Sequence, residues 1–165
     1  MKKSRILAHG ALIGALYVAL TYLQNALLPG SATWVIQFRA SEALCVLALF
    51  TPAAIPGLTL GCMLFNISFA GALPLDFLVG SLATCLAATG MYWLRGCTVK
   101  GYPLPAMLLP AITNALLVGW ELWVYVGGAF WLNAMYVAIG ELAVLLILGT
   151  PLFYAVRSRG LKKYL

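Results

Sequence analysis

Charge is scarce in this sequence. Only 8% of its 165 residues are Asp, Glu, Lys or Arg, 64% are hydrophobic, and the mean hydropathy is +1.00. Soluble domains carry roughly 25% charged and about 45–50% apolar residues, so this composition excludes one. The sole histidine, His9, rules out a His-rich metal site. The four cysteines, Cys45, Cys62, Cys85 and Cys97, form no close-spaced pair. They lie in or beside apolar runs and read as small buried apolar residues, with no metal or disulfide framework. The phosphate-cradling pattern Gly-x-x-x-x-Gly-Lys-Ser/Thr does not occur, so no nucleotide is held by such a loop. Repeats, linkers and low-complexity tracts are lacking too.

What the sequence has is long apolar runs with basic ends. Lys2, Lys3 and Arg5 precede the first run, and Arg157, Arg159, Lys162 and Lys163 follow the last, within a formal charge of +6. In a soluble protein that excess would point to nucleic acid. At the ends of a membrane chain it sets orientation instead: both termini cytoplasmic, hence an even number of spans. No nucleic-acid partner is expected. The first run is too long for a signal peptide's apolar region and is expected to stay as a span.

A bilayer core needs roughly 20 apolar residues per helix. The first span is predicted over Ile6 to Leu28, ended by Pro29-Gly30. It carries Ala11, Ala15 and Ala19 at four-residue spacing, with Gly10 and Gly14 beside them. Such a stripe permits close helix approach, either within the chain or to a partner subunit. The second span, Arg39 to Pro52, covers only about 20 Å of a core about 30 Å thick. Short spans interrupted by Pro or Gly point to transporter binding sites. The others are expected at Gly57 to Leu73, Asp76 to Arg95, Leu104 to Val126 with a kink at Pro110, and Trp131 to Val156. The fold class is therefore an all-α integral membrane protein, one six-span domain over residues 1–165.

The stretch Thr33 to Leu44 between the first two spans carries Arg39 and Glu42, three residues apart. On a helix these share a face and can pair. The chain has four acids, Glu42, Asp76, Glu121 and Glu141, and each falls in or at the outer half of a predicted span. A mid-span carboxylate costs about 2.5–3.5 kcal/mol on insertion scales. Arg39 is the one basic residue in that half and can offset one or two of them. Asn114, Val118, Glu121 and Tyr125 recur at helical spacing, one stripe of the fifth span. Trp34, Phe38, Trp120, Trp123, Tyr125, Trp131 and Tyr136 gather toward the same side, as pocket walls or as an interfacial belt. Acid excess beside aromatic rings suits a flat, donor-rich or cationic heterocycle.

Several pieces of wording then become informative. They are Ala-Leu-Tyr-Val-Ala-Leu-Thr (residues 15–21), Ile36-Gln-Phe-Arg-Ala-Ser-Glu-Ala-Leu44, Ile55-Pro-Gly-Leu-Thr-Leu-Gly-Cys62 with Asn66, Asp76 with Gly80-Ser-Leu-Ala-Thr84, Asn114, and Gly140-Glu141. With these the chain resembles the queuosine-precursor transporter (QueT) family, S-components of energy-coupling factor (ECF) transporters. The resemblance covers nearly the whole chain, and Gln-Phe-Arg-x-Ser-Glu-Ala-Leu is its most specific piece. It implies a six-helix S-component bundle in a prokaryotic cell membrane, with an outward-facing site closed by the loop between the first two spans. It also implies docking of Ala11, Ala15 and Ala19 on a transmembrane coupling subunit, energised by two separate cytoplasmic ATPases. The cargo it implies is a 7-deazaguanine such as aminomethyl-deazaguanine, or queuine. No cofactor follows.

Depth and helical phase then assign roles. Glu141 and Glu121 are the expected ligand carboxylates, one for a guanine-type edge and one for an amine. Asn66 and Asn114 are amide readers, Asp76 a supporting acid, and Trp34 and Trp120 stacking surfaces, with Tyr125 and Tyr136 as walls. Arg39 and Glu42 are expected as a hinge pair, with Trp34 and Gln37 moving over the ligand. Rival readings are an S-component for another vitamin-like heterocycle, a stand-alone proton-coupled transporter, and a membrane enzyme using a carboxylate dyad.

Overall fold

A computed structural model describes residues 3–31, 38–69 and 71–158, and all its regular elements among them are helical. Helix α1 (Lys3–Leu27) is followed by a 3₁₀ helix (Ala40–Leu49), then α2 (Ala54–Ser68) and α3 (Asp76–Leu94). Helices α4 (Leu104–Met107) and α5 (Leu109–Tyr125) run on as one 22-residue segment. Helix α6 (Phe130–Val144), a π-helical turn (Leu145–Gly149) and α7 (Thr150–Ser158) make a second, of 29 residues. Four segments are long and apolar enough to cross a membrane: α1, α3, α4–α5 and α6–α7. The 3₁₀ helix and α2 are apolar but shorter.

The six predicted spans thus fall on six helical segments, and the punctuation explains most boundaries. Helix α3 opens at Asp76 as expected, and Gly127 and Gly128, with φ of 89° and 80°, turn the chain between α5 and α6. Helix α2 starts three residues before the expected Gly57, because Pro56 sits in its first turn, where a missing N–H costs no helical bond. The kink expected at Pro110 is a break at Leu108, with Pro110 in the first turn of α5.

The short second span is where the structure departs from expectation. Ten residues of 3₁₀ helix rise about 20 Å, against about 15 Å in an α-helix. From Ser41 to Leu49 every residue is buried, with α1, α2, α3, α6 and α7 packed around it. A helix apolar on all sides belongs inside a protein. This one is the axis of the bundle rather than a lipid-facing wall.

Helix α1 shows two faces of small residues with different uses. Gly10 and Gly14 abut Gly57 and Gly61 of α2, so closely that a Cβ on Gly57 would lie 2.5 Å from the Gly10 carbonyl oxygen. The two helices run parallel, also tied by Tyr22 donating to Ser68 Oγ at 2.8 Å. Ala11, Ala15 and Ala19 instead face outward and line a groove of about 800 Å³ between α1 and α2, with Leu60 and Leu64 opposite. Cys45 and Cys62 are buried as expected, whereas Cys97 is exposed, since the turn after α3 leaves the bundle.

Gly57→Ala is expected to destabilise by about 1–3 kcal/mol through overpacking. Gly96→Ala, where an added Cβ meets nothing within 4 Å, is the control. Thermal midpoints of the detergent-purified variants decide it, and equal midpoints would contradict the glycine seam.

Candidate functional site: a buried acidic cluster around Arg39

All four acids are buried: Glu42 is 1% exposed, Asp76 3%, Glu121 0% and Glu141 3%. They come from four elements, the 3₁₀ helix, α3, α5 and α6. Arg39, at 4% exposure, immediately precedes the 3₁₀ helix in extended conformation (φ −95°, ψ 101°). That conformation carries its side chain off the helical face that Glu42 occupies. The expected Arg39–Glu42 pair is therefore not formed. Arg39 Nη2 donates to Asp76 Oδ2 at 2.9 Å, and its guanidinium lies 5.9 Å from the Phe65 ring centroid.

Glu42 takes other donors. Tyr17 Oη–H, fully buried on α1, donates to Oε1, and Cys45 Sγ–H donates to Oε2 at 3.2 Å. Three residues per 3₁₀ turn set Glu42 directly over Cys45. Thr21, one turn beyond Tyr17, is 2.7 Å from Ser41 Oγ and fastens α1 to the same stretch. Glu42 is thus held by Tyr17 and Cys45 rather than by Arg39.

A side chain that the sequence did not single out holds the start of the 3₁₀ helix. Gln24, near the end of α1, grips both sides of the segment from Ser31 to Phe38. Its Nε2 donates to Ser31 Oγ at 2.9 Å and to the Phe38 carbonyl, and its Oε1 accepts from the Ala40 N–H at 2.6 Å. Ala40 opens the 3₁₀ helix, so one amide fixes loop and helix start together. An uncharged Gln near a span's end gives little sequence signal. Trp34 and Gln37 lie outside the described residues.

The remaining polar groups show what the site lacks. Asn66 Nδ2 donates to the Asp76 carbonyl at 2.9 Å, joining α2 to the start of α3. Gly80 leaves room there: a Cβ would sit 2.8 Å from Asp76 Oδ1 and 3.0 Å from Asn66 Nδ2. Among the described residues, Asn66 Oδ1, Asp76 Oδ1, Asn114 Nδ2, both Glu121 oxygens and Glu141 Oε2 are buried with no hydrogen-bond partner. An unsatisfied buried group costs about 1–3 kcal/mol. This set would cost on the order of 10 kcal/mol, comparable with a domain's whole stability. Apart from His9 Nδ1 at the other end of α1, every such atom belongs to a residue proposed from sequence as a ligand contact.

Electrostatics ties the set together. Arg39 interacts with Asp76 and Glu42, the field at Glu121 comes from Asp76 and Arg39, and that at Glu141 from Glu42 and Arg39. One cation faces four acids, and the acceptors left over outnumber the one leftover donor. Groups that satisfy them must be mainly hydrogen-bond donors.

Of the expected aromatic walls, Phe38 is half-buried beside Arg39, while several others are exposed. Asn114, Val118 and Glu121 form the buried stripe of α5, but Tyr125 is 43% exposed, as is Trp120. Trp123 and Trp131 are exposed as well, while Tyr136 is half-buried on α6. The indoles project to the bundle's surface, as membrane-interface residues do. No His, Cys, Asp or Glu group among the described residues has metal-site geometry.

Two variants probe the frame. Arg39→Met leaves Asp76 without its cation and removes the positive charge beside the acidic cluster, whereas Asp76→Leu removes one of the groups that hold Arg39; breaking a buried pair costs about 3–5 kcal/mol. The larger loss is expected for Arg39→Met, with partial recovery in the double variant; additive losses in thermal midpoint would contradict the pairing. Gln24→Leu is expected to accelerate amide hydrogen exchange at Ala40, whereas Gln24→Glu, which keeps the acceptor, retains protection there. Equal exchange in both would remove Gln24 as the clamp.

Comparison with curated proteins and with solved structures returns no match. A family model described as QueT transporter matches residues 7–158, nearly the full length. The match spans α1 through α7, including every buried acid and Arg39. With apolar helices able to cross a bilayer, the role is transport rather than catalysis, in a multi-pass membrane setting. The chain belongs to the QueT transporter family.

Proposed function

We propose that this chain is the substrate-binding membrane subunit of an ECF-type importer in a prokaryotic cell membrane. Its cargo is a cationic 7-deazaguanine precursor of queuosine. The observation that carries the reading is the buried cluster on Asn66, Asp76, Asn114, Glu121 and Glu141, with five leftover acceptor atoms and one leftover donor. Aminomethyl-deazaguanine offers a guanine-type edge of N–H donors, a carbonyl to receive one, and an ammonium group. Glu121 and Glu141 take the edge and the ammonium, Asn66 and Asn114 read the remaining positions, and Asp76 stays paired with Arg39 while offering Oδ1. Bound there, a cation also reduces the repulsion among four acids.

Transport needs a second surface, and the Ala11–Ala15–Ala19 groove supplies one. A coupling subunit's helix seats on the small residues, where backbones approach closely without any polar group being buried unpaired. Two cytoplasmic ATPases drive the cycle through that subunit. Both termini lie in the cytoplasm, and the acidic cluster lies toward the outer side of the bundle.

Binding and transport separate experimentally. In a titration on purified protein, aminomethyl-deazaguanine is expected to bind at least tenfold more tightly than its neutral nitrile analogue, because a charge-assisted contact contributes about 1.5–3 kcal/mol. Glu141→Gln and Glu121→Gln are expected to erase that preference; full affinity in both would overturn the carboxylate assignment. Ala15→Trp is expected to abolish cellular uptake while leaving binding intact. Uptake by the purified chain alone in vesicles, driven by a proton gradient, would instead establish a self-sufficient transporter.

A further inference from the structure

The end of the bundle away from the acids contains a second polar pocket, unrelated to the cluster around Arg39. It encloses about 390 Å³ where the 3₁₀ helix, α3, the α3–α4 connection and α7 meet. Two guanidiniums, Arg95 and Arg157, and the Thr98 hydroxyl line it, over an apolar wall that includes Phe50 and Phe153. None of the four acids of the chain lines it.

The two arginines are held differently, and both keep donors to spare. Arg157 Nη1 donates to the Gly101 carbonyl at 2.7 Å. Gly101 belongs to a tight turn in which Val99 and Tyr102 exchange backbone hydrogen bonds of 2.8 and 3.0 Å. The intervening Lys100 and Gly101 both have positive φ, 51° and 79°, the pairing of a type I′ turn. That turn presents the carbonyl that orients Arg157 toward the pocket. Arg95 lies against the Tyr92 ring, 3.9 Å from its centroid, and donates to the Tyr92 carbonyl. A guanidinium has five N–H donors, so one bond each leaves most of them available.

The surroundings decide what anion fits. Trp93, 77% exposed, lies near the end of α3, and Tyr154, 52% exposed on α7, packs its ring against Phe153 of the pocket wall. Exposed aromatic residues beside arginines at the ends of apolar helices mark a membrane–water interface. An anion arriving there beside an apolar wall is a lipid headgroup with its chains still in the bilayer. Basic pockets between spans hold such headgroups. We propose that this pocket binds the phosphate of an anionic phospholipid, forked between Arg95 and Arg157, with Thr98 as a third donor.

The test uses the full chain in detergent, with dioctanoyl phosphatidylglycerol as the probe and binding read by native mass spectrometry and thermal shift. Binding to the wild type is expected to weaken roughly thirtyfold in Arg95→Gln/Arg157→Gln and about fivefold in each single variant, at about 1 kcal/mol per arginine. Arg95→Gln removes no contact to another element, so it keeps the test valid if the double variant misfolds. Dioctanoyl phosphatidylcholine and inorganic phosphate are the comparison arms, both expected to bind far more weakly. Inorganic phosphate binding as tightly would make this a free-anion site and overturn the lipid assignment. Equal binding of phosphatidylcholine, or unchanged binding in Arg95→Gln, would overturn the pocket itself.

Discussion

One guanidinium among four carboxylates sets the terms for half of this molecule. Arg39 pairs with Asp76, and all five side chains are almost wholly buried. Its ion pair with Asp76 ties the start of the 3₁₀ helix to the start of α3. Desolvating ions is costly, and a buried pair seldom stabilises more than apolar packing would. Retaining one cation and several acids in an apolar bundle therefore argues for a task beyond stability. The leftover acceptors are the part of the cluster on which the proposed ligand contact rests.

The architecture serves this cluster by keeping its members on separate elements. The 3₁₀ helix runs through the centre, and its extra reach lets ten residues do what an α-helix would need about thirteen for. Tyr17 and Cys45 fix Glu42, and Gln24 fixes the helix start, so Glu42 is satisfied within the chain while Glu121 and Glu141 keep unpartnered oxygens. Helix α1 has two distinct faces: Tyr17 and Gln24 face inward while Ala11, Ala15 and Ala19 face outward. The chain is also polarised end to end. Acids gather at one end, while Arg95, Lys100 and Arg157 sit at the other, beside interfacial aromatics.

Much of this was legible in the residues alone. Pro, Gly and Asp76 punctuate the apolar runs, so the number of helical segments and most boundaries follow from chain chemistry. The buried acids and amides stood out because polar groups are rare in such a sequence. What escaped was geometry that periodicity does not encode. An α-helical template pairs Arg39 with Glu42, but the backbone at Arg39 is extended and the turn beyond is 3₁₀. Helical phase placed Tyr125 with Glu121, yet the stripe leaves the protein's interior after Glu121. Trp120 and Tyr125 were ambiguous between pocket and belt, and composition could not choose. Gln24 went unnoticed because its importance lies in contacts made across 14 and 16 residues of chain, to Phe38 and Ala40.

The central claim is that the unsatisfied acceptors around Arg39 are the ligand's partners and not tolerated defects of packing. The most direct measurement is the position of aminomethyl-deazaguanine in a structure determined with that compound bound. The account predicts its N–H groups within hydrogen-bond distance of Glu121 and Glu141, with Arg39 still on Asp76. A ligand bound elsewhere, with both glutamates untouched, would contradict it.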